Sequence, residues 1–154
     1  MGEVKPDYER FLITAEYRYW KVYLHEQQQY LGRVYVSAKR DDASGFAGTA
    51  YWRHSFQAMN KGEREELFEI VMPKIQYALC ELWLPDRFNY AELENEWEHL
   101  HVHIIPRYKA PRMFDGITFT DTRWGKNYAP YDKAFKVPKE TLMSIRDKIQ
   151  QALG

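Results

Sequence analysis

The sequence has few features that would tie it to a membrane, to nucleic acid or to an oxidising compartment. Cys80 is the only cysteine among 154 residues, which excludes an internal disulfide framework and favours a reducing cytoplasm. Apolar runs are too short to cross a membrane, and the opening Met-Gly-Glu-Val-Lys-Pro lacks the apolar stretch of a signal peptide. Basic and acidic side chains balance at 22 each, so no basic excess indicates binding to a nucleic-acid backbone. We expect a cytoplasmic protein that binds neither nucleic acid nor membrane.

The length suits a single domain, 1–154, that can bury a substantial core. Within it we expect an N-terminal arm at 1–13, a loop-rich segment at 108–137 and a C-terminal helix at 138–153. Aromatic residues make up 16% of the chain, which suits a large core, a dimer interface or a site that stacks bases.

Two kinds of periodicity predict an α+β fold. Residues 14–24 alternate like a strand, and residues 30–37 return as its hairpin partner. Asn60 is suited to cap a long helix, in which Pro73 predicts a kink or two helices that meet at that point. The apolar stripe of this helix is expected to face the sheet and comprises Leu67, Val71, Ile75, Ala78 and Leu82.

Three of the five histidines lie at alternate positions: His99, His101 and His103. Alternate side chains of a β-strand point to the same face, so this spacing predicts a single row of imidazoles. Pro106 predicts the end of the strand or of its pairing. The opposite face would pack on the core through Leu100, Val102 and Ile104.

A row of imidazoles can bind a metal or attack a phosphate, because a neutral ring has one donor and one acceptor nitrogen. A metal-dependent hydrolase or oxygenase is therefore one alternative, although no further ligand is obviously placed to complete its shell. Another alternative is that the three histidines form a polar strand face with no catalytic or metal-binding role. The glycine-containing loop at 39–49 lacks the spacing of a P-loop, and the isolated His54 suits a structural or surface position.

The string HLHVHII at 99–105, followed by Pro106 and Arg107, matches the pattern His-φ-His-φ-His-φ-φ, where φ is apolar, at every position. With the preceding helix and asparagine-containing strand, it resembles the histidine triad (HIT) family of nucleotide hydrolases and transferases. It is most similar to the diadenosine tetraphosphate hydrolase-like branch, and the likeness covers roughly residues 14–130. The resemblance implies an antiparallel sheet of about five strands, with helices packed on one face, and a symmetric homodimer.

The resemblance also implies a mechanism. His101 attacks the α-phosphorus of a nucleotide substrate and forms a nucleotidyl-histidine, which water then hydrolyses. His103 donates to a phosphate oxygen and His99 orients its neighbours. No cofactor is required, although Mg²⁺ would accompany a polyphosphate substrate. Dinucleoside polyphosphates and nucleoside phosphoramidates both remain open as substrates, and a nucleotide-binding module without turnover is a further alternative.

Family motifs place phosphate-binding amides at Asn89 and at Asn95. They place a residue that binds the ribose hydroxyls near His25 and Glu26.

The sequence departs from the family pattern at two positions. Arg33 stands where many members have a histidine after a glycine, and its guanidinium suits phosphate oxygens. Glu94 replaces a glycine before Asn95 and adds a negative charge near the site. The segment Trp124-Gly125 resembles one that, in this branch, follows the triad, and it would either cover the nucleotide or reach across a dimer.

Overall fold

The structure is a computed structural model that describes residues 12–40, 55–93, 95 and 97–154. Most of the expected N-terminal arm, most of the loop at 39–49, His54 and Glu94 lie outside these ranges. The main elements are β1 (Ile13–Glu16), β2 (Trp20–Leu24), β3 (Val34–Ala38), α1 (Lys61–Glu65), α2 (Met72–Trp83), β4 (Arg87–Ala91), β5 (His101–Arg107), β6 (Arg112–Phe114), β7 (Ile117–Phe119) and α3 (Lys139–Leu153).

The predicted α+β fold is confirmed. Five antiparallel strands form one sheet in the order β1-β2-β3-β5-β4, and β6 pairs with β7 in a separate hairpin. The helices pack on one face of the large sheet, which leaves its other face to the histidines. The core between sheet and helices includes Leu67, Val71, Ile75, Leu79, Leu100, Val102, Ile104, Leu142, Ile145 and Ile149.

The predicted strand at 14–24 is wrong in its middle, because the chain turns there and forms two paired strands, β1 and β2. The carboxylate of Glu66 accepts from the backbone N–H groups of Arg18 (3.1 Å) and Tyr19 (2.6 Å). The backbone N–H of Tyr17 also donates to the carbonyl of Trp20 (2.8 Å). A helix residue far away in sequence therefore stabilises the turn that divides the predicted strand.

The long helix begins at the expected cap. The side chain of Asn60 accepts from the N–H of Glu63, whose carboxylate accepts in return from the N–H of Asn60. Residues Glu66–Val71 form a widened π-helical turn, after which α2 begins at Met72 with Pro73 in its first turn. Proline lacks the N–H that an α-helical bond would need, and the wider turn accommodates this. The sequence predicts a kink or a junction of two helices at this point; the structure has a change from π-helical to α-helical hydrogen bonding, and the backbone of Val71 and Met72 stays helical.

Pro106 does not end β5, which continues to Arg107. Pairing with β3 stops at Ile104, but Pro106 still lies opposite Phe88 of β4. The prediction that pairing ends near Pro106 was therefore right for β3 and wrong for β4. The C-terminal helix begins one residue later than expected, at Lys139, because Pro138 takes the capping position.

Candidate functional site

The histidine row lies on the face of β5 that is turned away from the helices. His101 and His103 alternate with buried core residues, and His99 lies two residues before the first residue of the strand. In the register of β3 and β5, Tyr35 is opposite His103 and Ser37 is opposite His101. Directly opposed residues of an antiparallel pair share a face, so this tyrosine and serine border the row.

Two backbone carbonyls set the orientation of the imidazoles. Nδ1 of His101 lies 2.6 Å from the carbonyl oxygen of His99, and Nε2 of His99 lies 2.6 Å from that of Ala38. A carbonyl can only accept, so each of these ring nitrogens carries a proton and donates. The neutral His101 ring therefore has its lone pair on Nε2, at the end that faces away from the backbone.

The environment favours the neutral form of the His101 and His103 rings. Burial lowers the pKa of His101 below its ordinary value of 6.5. Burial, the positive charge of Arg33 and the neighbouring His101 together lower the pKa of His103 to about 3. Neutral imidazoles retain the lone pair that a nucleophile needs.

Trp97 covers two rings of the row. Its indole stacks on His99 with 4.9 Å between ring centroids and lies 4.7 Å from His101 at a tilt of 35°. The sequence reasoning did not single out this tryptophan. The sequence did contain an indication of it, because Trp97 lies two residues before His99 and so has the same spacing as the three histidines.

The structure brings a fourth imidazole to the site. The ring of His25, just after β2, lies 5.6 Å from that of His103 between centroids. The backbone N–H of Gln27 donates to Nδ1 of His25 (3.0 Å), so the neutral ring carries its proton on Nε2. Burial and the charge of Arg33 hold the pKa of His25 well below its usual value. Glu26, the other ribose candidate, is exposed beside it.

Arg33 is almost fully buried, with 3% of its surface exposed. The preceding Gly32 has φ +92° and lies under α2, where an added Cβ would come within 2.7 Å of Leu79, so this position requires glycine. The guanidinium lies over the rings of Tyr128 (5.5 Å) and Tyr131 (5.7 Å). Its Nε and Nη1 have no hydrogen-bond partner in the described part of the chain.

Asn89 also lies on the histidine face, because it is opposite Ile105 in the register of β4 and β5. Nη1 of Arg107 donates to its Oδ1 (2.8 Å), which leaves the amide nitrogen as the donor towards the site. Asn95 is exposed, and no contact in the described residues brings it into the histidine row.

The three glutamines Gln27, Gln28 and Gln29 are buried, which their polar sequence did not suggest. Gln27 donates to the carbonyls of Asp132 and Phe135, each at 3.0 Å. Gln29 donates to the hydroxyl of Thr122 (2.8 Å) and accepts from the N–H of Asp132 (2.8 Å). These bonds attach the segment after β7 to the connection between β2 and β3.

The guanidinium of Arg87, in β4, lies over the ring of Trp124 in the same segment, with 4.7 Å from the guanidinium carbon to the ring centroid.

Within the described ranges, no group of three or more His, Cys, Asp or Glu side chains is arranged to hold a metal ion. No helix in that part of the chain is both long enough and apolar enough to span a membrane.

Sequence comparison with protein-family models found no match, and neither did comparison with curated proteins. Solved structures do match. A histidine triad protein from Bradyrhizobium japonicum superposes with a TM-score of 0.71 at 15% identity, over 99% of this chain and 98% of that one. A histidine triad protein from Sinorhizobium meliloti gives 0.68 at 16% identity, over 96% and 94% of the two chains.

A diadenosine triphosphate hydrolase from Plasmodium falciparum, solved with cyclomarin A, gives a TM-score of 0.57 at 11% identity, over 92% of this chain and 76% of that one. Low identity combined with nearly complete coverage is evidence about architecture alone. The chain therefore has the fold of the histidine triad proteins.

Proposed function

We propose that this protein hydrolyses or transfers a nucleotidyl group through a covalent nucleotidyl-histidine on His101. One observation carries the proposal: the backbone carbonyl of His99 holds Nδ1 of His101 at 2.6 Å. This bond directs the Nε2 lone pair outward, as a nucleophile requires, and can stabilise the positive charge that the ring acquires on attack.

The proposed reaction has two displacements at the α-phosphorus. Nε2 of His101 forms a P–N bond while the bond from phosphorus to the leaving group breaks, and the leaving group takes that electron pair. Water then attacks the same phosphorus, the P–N bond breaks, and the electron pair returns to Nε2. The products are a nucleoside monophosphate and the released group, and an alcohol or amine acceptor in place of water would make the protein a transferase.

The surrounding residues suit the remaining tasks. His103, neutral and next to His101, would donate to a phosphate oxygen as negative charge develops there. The amide nitrogen of Asn89 would donate to the same phosphate group, since Arg107 already occupies its oxygen. Glu26 is exposed beside the site, where its carboxylate would accept from the ribose hydroxyls. Asn95, which is also exposed, would donate its amide to a phosphate oxygen.

The fold supports the substrate class. One solved structure of this fold is a diadenosine triphosphate hydrolase. We propose a dinucleoside polyphosphate or a nucleoside phosphoramidate as the substrate, since both present an α-phosphate to Nε2 of His101. The protein needs to supply no metal in this scheme, and Mg²⁺ would enter with a polyphosphate chain. Cys80, the single cysteine, suits catalysis in the reducing cytoplasm.

We also propose that two copies associate through β4. This strand forms one edge of the sheet, and an edge presents backbone groups that another strand can pair with. Tyr90 in the strand and Leu93 just after it are large apolar residues that are about half exposed, at 44% and 54%. A symmetric pair of such edges would join the two sheets into one.

Intact-mass analysis tests the covalent step. The protein is mixed with diadenosine tetraphosphate or adenosine 5′-phosphoramidate and the reaction is quenched at a series of times. His101→Asn is treated in the same way, and His54→Asn, at the histidine that is isolated in the sequence, is the control. We expect a transient AMP adduct, or AMP release, in the parent and in His54→Asn but not in His101→Asn. Equal turnover by His101→Asn would contradict the proposal. AMP binding without any turnover would instead support a nucleotide-binding module.

A further inference from the structure

Arg33 is a buried cation, and two of its three guanidinium nitrogens have no hydrogen-bond partner in the described part of the chain. A guanidinium has five N–H donors and is always charged, so burial without partners carries a considerable free-energy cost. The rings of Tyr128 and Tyr131 interact with the guanidinium through their π-faces. They leave Nε and Nη1 without a hydrogen-bond acceptor among the described residues. A buried donor in this state indicates a missing acceptor.

Strand geometry places this cation on the histidine face. Val34, the next residue, is fully buried in the core between sheet and helices. Successive side chains of a strand alternate, so Tyr35 points to the other face, where it lies opposite His103. Arg33 directly precedes β3, and its place before Val34 continues the same alternation. The charge of Arg33 lowers the pKa of both His25 and His103, which is consistent with its proximity to these rings.

The groups around Arg33 suit an anion. His25 presents a proton on Nε2, because Gln27 already donates to its other nitrogen. Nδ1 of His103 is buried and also has no partner in the described ranges. The acidic side chains of the neighbouring segments have other partners or are exposed: Asp121 is bonded to Arg107, Asp132 accepts from the N–H of Ala134, and Glu26 is exposed.

We propose that Arg33 and His25 form an anion subsite beside His103, which binds the leaving-group phosphate of the substrate. This inference rests on the proposed nucleotidyl transfer and selects its substrate class. When the anhydride P–O bond breaks, the departing phosphate oxygen keeps the electron pair, and Arg33 stabilises the added negative charge. A phosphoramidate releases ammonia or an amine, which gains nothing from a cation at this position. The protein is therefore a hydrolase of polyphosphate substrates rather than of phosphoramidates.

The test compares two substrates that share the adenylyl group. kcat/KM is measured for diadenosine tetraphosphate and for adenosine 5′-phosphoramidate with the parent, Arg33→Gln and Arg33→Lys. We expect the ratio of the first kcat/KM to the second to fall by roughly 10- to 100-fold in Arg33→Gln, as is typical when a hydrogen bond to a charged group is lost. Arg33→Lys should lie between the two, because it keeps the charge but not the fork of donors.

Arg146→Gln serves as the matched control, since Arg146 is on α3 and forms an ion pair with the neighbouring Asp147. A ratio that changes by less than about threefold in Arg33→Gln would overturn the inference, and a simultaneous loss of thermal stability would assign Arg33 a structural role. If Arg33→Gln does not fold, Arg33→Lys replaces it in the test, and a change of less than about threefold in its ratio of kcat/KM values would overturn the inference.

A binding measurement separates failure of this inference from failure of the proposed function. If the parent cleaves neither compound, the proposed function fails, and calorimetry with inorganic pyrophosphate then tests the subsite alone. Binding at least about tenfold tighter to the parent than to Arg33→Gln or Arg33→Lys supports the subsite. Equal affinity, or no binding by the parent, overturns it.

Discussion

Arg107 donates to both carboxylate oxygens of Asp121, through Nε at 2.7 Å and through Nη2 at 3.1 Å. The two side chains are 3% and 0% exposed, so the pair is shielded from solvent. The same guanidinium donates to Asn89 and to the carbonyls of Arg123 and Lys126. One arginine thus connects β5, β4 and the segment after β7.

Asp121→Ala should be strongly destabilising, because it leaves the Arg107 charge buried without its counterion. We expect the free energy of unfolding to fall by about 3–5 kcal/mol, the usual result of removing one partner of a buried pair. Urea unfolding monitored by circular dichroism measures the change. The exposed pair Arg146–Asp147 provides the control: Asp147→Ala should cost under about 1 kcal/mol. Similar losses in the two variants would show that burial does not decide the effect.

His103 should remain neutral from pH 8 to pH 5, because burial, Arg33 and His101 lower its pKa to about 3. Side-chain NMR titration, assigned with His103→Gln, measures this value directly. The unfolded chain binds a proton near pH 6.5 that the folded ring does not bind, so stability falls as pH decreases from 6.5 towards 3. Between pH 7.5 and 5.5, His103→Gln should lose less stability than the parent. A His103 resonance that titrates near pH 6.5 would contradict the assignment.

Gln29→Ala should loosen the segment after β7, because it removes the donor to Thr122 and the acceptor for the Asp132 N–H. We expect faster hydrogen exchange at the Asp132 amide and a loss of about 1–3 kcal/mol, since buried groups are left without partners. Gln76→Ala, at an exposed position of α2, is the matched control. Unchanged exchange at Asp132 in Gln29→Ala would mean that these bonds do not hold the segment.

Association through β4 should be sensitive to charge at Tyr90 and Leu93. Sedimentation equilibrium should give about twice the 18.5 kDa chain mass for the parent and a monomer for Tyr90→Glu/Leu93→Glu. Met113→Glu, on the separate β6–β7 hairpin and 71% exposed, should leave the mass unchanged. A monomeric parent at micromolar concentration would refute this mode of association.

Local sequence predicted the features that depend on periodicity. The alternation around His101 identified the strand and both of its faces, and the stripe that includes Leu67 and Ile75 identified the buried side of the helix. Asn60 marked the start of that helix correctly, and Pro73 marked the point at which its hydrogen-bonding pattern changes. In each case the deciding interactions lie within a few residues of one another.

Features that depend on distant partners could not be predicted in this way. The turn that divides 14–24 needs the carboxylate of Glu66, and the burial of Gln27 needs carbonyls more than 100 residues away. The approach of His25 to His103 depends on strand register and on the chain path after β2. Sequence separation, rather than residue type, made these contacts unpredictable.

The acceptor that orients His101 is a main-chain oxygen, and this has a consequence for how such a protein can diverge. Replacement of the side chain at position 99 leaves that carbonyl in place. A point mutation there therefore does not remove the hydrogen bond that sets the direction of the His101 Nε2 lone pair. Changes in substrate specificity must then arise in the segments that surround the histidines, such as 25–33 and 120–135. The proposed nucleophile and the residues that would select its substrate can therefore evolve on separate parts of the chain.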